Sequence, residues 1–465
     1  MLQVAPRLLG VAAALPALAL SACGGDDSDG AAAPAALPGW HVQGGWLRAP
    51  DGRAAILRGV NVASAHKSAP YFGFHGPEDF ARVRADWGMN ALRLLILWAA
   101  IEPEPGAWDL GYLAQVRKRL DWAEQAGLRV VLDMHQDLYG EGFGGDGAPR
   151  WSCDEAHYAA YEPIEPWVLN YLNEHVIACF DGFWHGAELQ GHYAAAWRQV
   201  ALALGGHPAV VGFDIMNEPY WGSTAMGSFE QEILQPFYER IVAEVRAVAP
   251  GWIAFVEPSS SRNIGLPTGL TPLSFANAVY APHSYDAQAE QGEGFDPARR
   301  GELVHEIALL GEEARSLGAA LWVGEYGGSG DDPEIAAYMV AEYDGAAAAN
   351  AGSAYWAYDR DDGYGLLTPD GSEKPALLGA LVRPYPELVA GSPIRFAYDE
   401  HSRAFSLEYR ADRAASAPTV IAVPERAYPD GYSVACDGCA FEKQPGQLLL
   451  TRPPAGEPAT VRLAP

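Results

Sequence analysis

The stretch LRVVLDMHQDLYG, residues 128–140, breaks a strand pattern in a way that decides how the rest of the chain is read. Its first half is apolar and β-branched, the composition of a strand buried in a parallel sheet. It then ends in His135, Gln136 and Asp137. Polar and ionisable groups at the end of a buried strand cost free energy unless something meets them. That end therefore reads as part of the wall of a site.

Working outward, the same texture recurs from Ala54 to about Leu388. The predicted strands are AAILRGVNVA, MNALRLLIL, LRVVLDMHQ, AVVGFDIMNEP, WIAFVEPS, AVYAPHSY, ALWVGEYG and GSAYWAYD. Helical stretches such as YLAQVRKRLDWAEQAG and GELVHEIALLGEEARSLG lie between several of them, with Gly or Pro near their ends. About eight βα units suit a closed (β/α)8 barrel. A doubly wound sheet is the competing architecture, but the Gly-rich phosphate turn expected after its first strand is absent. After RPYPELVAGSP the segments become short, alternating and Pro/Gly-punctuated, which predicts a small C-terminal antiparallel β-sandwich packed against the barrel.

Composition excludes some functions. Hydrophobic residues are 49% of the 465, enough for a large core. A formal net charge of −28 argues against nucleic acid and against unaided adsorption to anionic membranes, because both need clustered Lys and Arg.

In a parallel barrel every strand's C-terminal end points to one face, so what each strand ends in is the test of function. Strand two carries Arg93; strand three ends at His135 and Asp137; strand four ends in MNEP with Asn217 and Glu218. Strand six ends in HSY with His283 and Tyr285, strand seven in GEYG with Glu325, and strand eight carries Trp356. Two glutamates at separate strand ends suit glycosidic bond cleavage, in which one carboxylic acid protonates the leaving oxygen and a second carboxylate attacks the anomeric carbon. Arg93 and Tyr285 are candidates for keeping Glu325 charged and aimed, Asn217 for gripping a sugar's 2-hydroxyl, and Trp356 for stacking on a pyranose. Each residue alone has a plainer reading as a core or salt-bridge group. Their joint order along eight strands favours catalysis.

The succession ALRL, DMHQD, MNEP, HSY, GEYG and YWAY resembles glycoside hydrolase family 5, over roughly Trp40 to Leu388. The resemblance implies a TIM barrel, Glu218 as general acid/base, Glu325 as nucleophile, supporting roles for Arg93, His135, Asn217, His283, Tyr285 and Trp356, and double displacement with retention. A narrower likeness, carried by NVASAHKSAPY and HQDLYG, is to the endoglycoceramidases, which cut between an intact glycan and ceramide. On it Lys67 and Asp137 contact the sugar at the cleavage site. The implied substrate is a glycosphingolipid or other β-glycoside, with no cofactor and no metal; no H-E-x-x-H or close ligand cluster is visible either. The alternatives are an endo-β-1,4-glucanase, a β-glucosidase on simple glycolipids or sterol glucosides, and a non-catalytic carbohydrate-binding surface lipoprotein.

A long aromatic-rich insertion, about Tyr139 to Gln190, follows strand three. Insertions of this length in a barrel are usually functional. Its two readings are an apolar wall for lipid chains, where each buried methylene is favourable by about 0.8 kcal/mol, and a self-packed lid. Cysteines 153 and 179 lie within it, and Cys436 and Cys439 flank a CDGC turn. Disulfides 153–179 and 436–439 are the favoured pairing, although sequence does not fix connectivity and a redox-active or zinc-binding C-x-x-C is the alternative for the second pair.

The N-terminus has Arg7, a short apolar run and LSAC ending at Cys23, which reads as an export signal with a lipobox over residues 1–23. A lipidated Cys23 would tether an exported protein to a membrane; an ordinary cleaved signal is the alternative. Residues 24–39 read as a flexible acidic linker, 40–390 as the catalytic barrel and 391–465 as the sandwich.

Overall fold

The structure is a computed structural model that describes residues 39–63, 66–361 and 363–465. Eight parallel strands close on themselves: Arg58–Val62, Ala91–Ile96, Arg129–Met134, Val210–Asp214, Ile253–Val256, Ala278–Tyr280 continued by His283–Ser284, Ala320–Tyr326 and Gly352–Tyr355. Closure is made where Ser353, Ala354 and Tyr355 pair with Arg58, Gly59 and Val60. Strands one and two approach closely enough that a Cβ on Gly59 would lie 1.8 Å from the Ala91 carbonyl oxygen. The outer helices follow their amphipathic patterns. Leu110–Ala126, for example, is capped by the Asp109 side chain, which accepts from the Tyr112 amide, and stops at Gly127, whose φ of +76° is left-handed.

Period-two alternation sorts the barrel interior by height. Inward positions on strand two run Ala91 then Arg93, on strand three Val131, Asp133 and His135, and on strand five Ile253, Phe255 and Glu257. The lower level is an apolar plug with Leu57, Val211, Val279, Ala320, Trp322 and Ala354. Leu47, Trp40 and Val42, from the segment leading into and forming the hairpin of strands His41–Gln43 and Trp46–Arg48, pack against this plug. The upper level is ionisable. The polar end of LRVVLDMHQ is thus the upper rung of a ladder whose lower rungs are oil.

The predicted sandwich is present with different borders. One sheet runs His41–Gln43, Trp46–Arg48, Ala54–Ala55, Tyr385–Val389, Thr419–Ala422, Gln447–Arg452, Ala440–Gln444. The other runs Gly391–Asp399, Ala404–Ala411, Ala459–Ala464, Ser433–Ala435. Phe405, Leu407, Ile421, Leu448, Val461 and Leu463 fill the space between them, together with Tyr343 and Ala347 of the barrel helix Ile335–Ala348. The boundary read at 390/391 is therefore corrected: residues 41–55 and 385–389 belong to a sandwich sheet. The predicted single strand AAILRGVNVA is two, since Ala54 and Ala55 pair with Val389 and Leu388 whereas Arg58–Val62 enters the barrel. Both halves are buried, so hydrophobicity runs unbroken across the switch between sheets.

The insertion holds the helices Glu155–Ala160 and Glu174–His185, and it ends by Gly186, because Ala187–Leu204 is a helix of the barrel ring. Cys153 is bonded to Cys179 and Cys436 to Cys439. The signal segment, Cys23 and the linker as far as residue 38 lie outside the described residues.

Candidate active site

Arg93, fully buried on strand two, is the hub at the barrel's upper end. Its Nη1 donates to Glu325 Oε1 at 2.5 Å and to Asn61 Oδ1 at 3.2 Å. Its Nη2 reaches Asn217 Oδ1 at 2.9 Å, Glu257 Oε1 at 2.8 Å and Asp133 Oδ1 at 3.0 Å, and Nε donates to Asp214 Oδ2 at 3.0 Å. Burial opposes the guanidinium's charge, but Asp133, Asp214, Glu325 and Glu257 outweigh it. Burial and the neighbouring Glu257 push the Asp214 carboxyl well above the ordinary range, against the pull of Arg93.

Above the hub stand the two glutamates. Glu325 is buried, and its second oxygen, Oε2, accepts from the Tyr285 phenol at 3.0 Å. Burial beside Glu325 raises the Tyr285 phenol well above its usual value, which keeps it a donor. Glu218 is partly exposed, and its Oε1 accepts from Asn263 Nδ2 and His283 Nδ1, each at 2.7 Å. A carboxylate oxygen of Glu218, one of Glu325 and a ring nitrogen of His283 all lie within 4.8 Å of one another. Burial works against a charge on His283, yet Glu257 and Glu325 hold its ring well above the normal range, which favours the protonated ring between the glutamates. Asn217 gives one amide hydrogen to the Gln136 carbonyl at 3.1 Å, which leaves the second for a ligand.

A second cluster lies beside the first. The Lys67 ammonium pairs with Asp137, stands 3.6 Å from Asp146 and lies 4.7 Å from the centre of the Trp356 ring. His135 stacks on Trp356 at 5.3 Å and 17° and shares a hydrogen bond of 2.8 Å with Asp133 through Nδ1. Burial and Lys67 oppose a charge on His135, but Asp133 and Asp137 bring it up to about 10. Burial pushes Asp146 up to about 6, while Lys67 overcomes burial to hold Asp137 well below the carboxylate norm. The faces of Trp356 are therefore shared with two cations, and only its exposed part is left to a sugar.

All ten residues proposed from sequence for catalysis and substrate binding, Lys67, Arg93, His135, Asp137, Asn217, Glu218, His283, Tyr285, Glu325 and Trp356, gather at the upper face of the barrel. Sequence reasoning passed over Asn61, Asp133, Asp214 and Glu257, although each lies within a quoted strand. It also passed over Asp146, which comes from a loop, and Asn263, from the short 3-10 helix Ser260–Ile264 after strand five, whose placement no spacing reveals.

The insertion borders this face. Tyr171 accepts from the Leu138 amide at 3.1 Å and lies 3.5 Å from Asp137, and its ring is 5.0 Å from that of Tyr220, two residues past Glu218. On the same short 3-10 segment, Trp167–Leu172, the side chains of Trp167, Val168, Leu169 and Leu172 are exposed. Two carboxylates about this far apart on one cleft, one clamped by cationic and phenolic donors and one open to solvent, are equipped to attack an acetal carbon and to shuttle a proton to its departing oxygen.

The family described as Cellulase (glycosyl hydrolase family 5) matches residues 50–362, and the Glycoside hydrolase family 5 C-terminal domain matches 383–463. Endoglycoceramidase I of Rhodococcus hoagii is 30% identical over 454 residues, covering 91% of this chain and 87% of its own. Structures of endo-glycoceramidase II from Rhodococcus sp. are similar too. Its ganglioside GM3 complex matches with a TM-score of 0.82 and 34% identity, and its lactosyl-enzyme intermediate with 0.81 and 33%. Each covers 90% of this chain and 99% of the matched one.

Proposed function

The chain belongs to glycoside hydrolase family 5, and from that premise we propose that it is a retaining endo-β-glycosidase that hydrolyses the bond between the glycan and the ceramide of glycosphingolipids. The observation that carries the reading is the pair Glu218 and Glu325, with carboxylate oxygens within 4.8 Å, beside an insertion that exposes Trp167, Val168, Leu169 and Leu172. Glu325 is the nucleophile, since Arg93 and Tyr285 both donate to it and aim its carboxylate into the cleft. It attacks the anomeric carbon as the bond to the ceramide oxygen breaks and Glu218 gives that oxygen its proton. Water then displaces Glu325 from the sugar and yields a proton to Glu218, so the starting configuration returns.

In this reading Asn217 addresses the 2-hydroxyl, and Lys67, Asp137, His135 and Trp356 hold the sugar at the cleavage site. The exposed apolar side chains of the insertion receive the lipid. Incubation with a panel of glycosphingolipids tests the reading by mass spectrometry: intact oligosaccharide and free ceramide are the expected products, and single sugars released from the outer end would refute an endo-acting enzyme. Truncation of Trp167 and Leu172 to Ala lowers kcat/KM on ceramide glycosides far more than on a soluble aryl glycoside; equal losses would remove the insertion from lipid binding.

The proposal extends to location. Residues 1–23 would export the chain, and Cys23 would carry the lipid that tethers it near its substrate, a reading supported by the LSAC sequence. Labelling with a radioactive fatty acid should mark the wild type and not Cys23→Ser.

A further inference from the structure

We propose that Glu257, at the end of strand five, is a positioning residue whose carboxylate fixes the backbone of Glu218 and links it through His283 to the nucleophile's side of the site. The inference rests on the assignment of Glu218 as acid/base. Glu257 is only 2% exposed and occupies the inward position after Ile253 and Phe255. Its two oxygens divide their work. Oε2 accepts the backbone N–H of Glu218 at 2.8 Å, whereas Oε1 accepts from Arg93 Nη2 at 2.8 Å and lies 3.3 Å from His283 Nε2. The other nitrogen of that ring is 2.7 Å from Glu218 Oε1 and 3.5 Å from Glu325 Oε2. The main chain of Glu257 is anchored as well, its carbonyl accepting from Tyr238 Oη at 2.9 Å.

The backbone shows what the Glu257 contact is for. Glu218 has φ +40°, a left-handed conformation that a non-glycine residue adopts only where its surroundings impose it. Its amide hydrogen points at a buried carboxylate, a charge-assisted bond of the stronger kind. Arg93 would still have Asp133, Asp214, Asn61 and Asn217 if Glu257 were altered. The Glu218 amide has no other acceptor among the described residues. Loss of Glu257 therefore disturbs the proton donor much more than the nucleophile.

That asymmetry gives a signature. Ceramide leaves as an alkoxide equivalent and needs the proton of Glu218, whereas an acidic phenol departs with little help. Glu257→Gln keeps the shape and removes the charge. It should lower kcat/KM on a ceramide glycoside about a hundredfold, yet slow the burst of phenol release from an activated aryl β-glycoside less than fivefold, with the melting temperature nearly unchanged. Azide should restore part of the steady-state turnover of the aryl substrate by replacing water that Glu218 no longer activates. Glu257→Asp, which keeps the charge but withdraws it by one methylene from the Glu218 amide, should show the same split at smaller amplitude, and it serves if the Gln variant folds poorly. Equal losses on both substrates, or wild-type rates on both, would overturn the positioning role. A wild-type enzyme that gave inverted sugar products would overturn the assignment of Glu218 itself, a separate failure.

Discussion

Two cations serve the same cleft in opposite ways. Arg93 lies beneath the floor, unexposed, with each guanidinium nitrogen bonded to side chains from other barrel strands. Lys67 sits at the surface of the site, half-buried, shared between Asp137 and Asp146 and lying over Trp356. A planar fork with five fixed donors can lock several strand ends into one geometry; a compact ammonium on a flexible stem can trade partners. The contrast teaches that the site separates holding from gripping. The guanidinium that aims Glu325 has its five donors engaged before substrate arrives, while the residues that meet the sugar keep bonds they can exchange.

The comparison can be broken or sharpened by mutation. The largest effect belongs to the residue the frame aims: Glu325→Gln should reduce turnover by about a thousandfold or more while circular dichroism and melting stay at wild-type values. Arg93→Met comes next and strikes both fold and function. It leaves buried carboxylates without their cation and should cost about 3–5 kcal/mol of unfolding free energy, measured by urea titration, with activity lost in parallel. Lys67→Met should lower kcat/KM on the natural substrate about tenfold to a hundredfold, the worth of a hydrogen bond or two to a charged group, with a change in melting of at most a few degrees. A Lys67 variant as unstable as the Arg93 variant would erase the distinction.

The smallest effect is one of pH. His135 is raised to about 10 in the fold by Asp133 and Asp137, against an ordinary value of 6.5. A raised histidine contributes stability that is complete below the unfolded value and is withdrawn as pH climbs through the folded one. Urea midpoints should therefore fall from pH 6.5 to 10, and Asp133→Asn should flatten that slope. Asp146, raised to about 6, works in the same sense at lower pH: its contribution is complete below about pH 4 and is lost as pH rises through 6.

How much of this was legible beforehand follows from the period of two. Strand ends in a parallel barrel share a face, so His135, Glu218, Glu325 and Trp356 could be gathered from sequence alone. Glu257 was equally visible in WIAFVEPS, two places after Phe255 and four after Ile253. It was passed over because a lone glutamate at a strand end is usually a salt-bridge partner, and nothing in sequence shows that its partner is a backbone amide. Asp214 escaped for another reason. Pairing of strands three and four shifts register between Val130 and Val131, so simple alternation from Val211 does not point it inward. Asp146 lies on a loop and Asn263 on the short 3-10 helix Ser260–Ile264, where chain distance carries no address. The crossing of residues 54–55 into another sheet was hidden by continuous burial on both sides of the switch.

That crossing has a consequence for how the chain is made. Residues 41–55 leave the ribosome before their partners, since Ala54 and Ala55 pair with Val389 and Leu388, in a sheet that also needs Thr419–Ala422 and Gln447–Arg452. The hairpin next to the barrel floor is thus stitched to strands translated more than three hundred residues later, a separation that slows closure. A barrel lacking the span matched to the C-terminal domain, 383–463, would leave Ala54 and Ala55 without the strand Tyr385–Val389 they pair with, an unpaired sheet edge. Products cut short before residue 383 should be bound by chaperones or degraded, making arrival of Tyr385–Val389 a checkpoint on the fold.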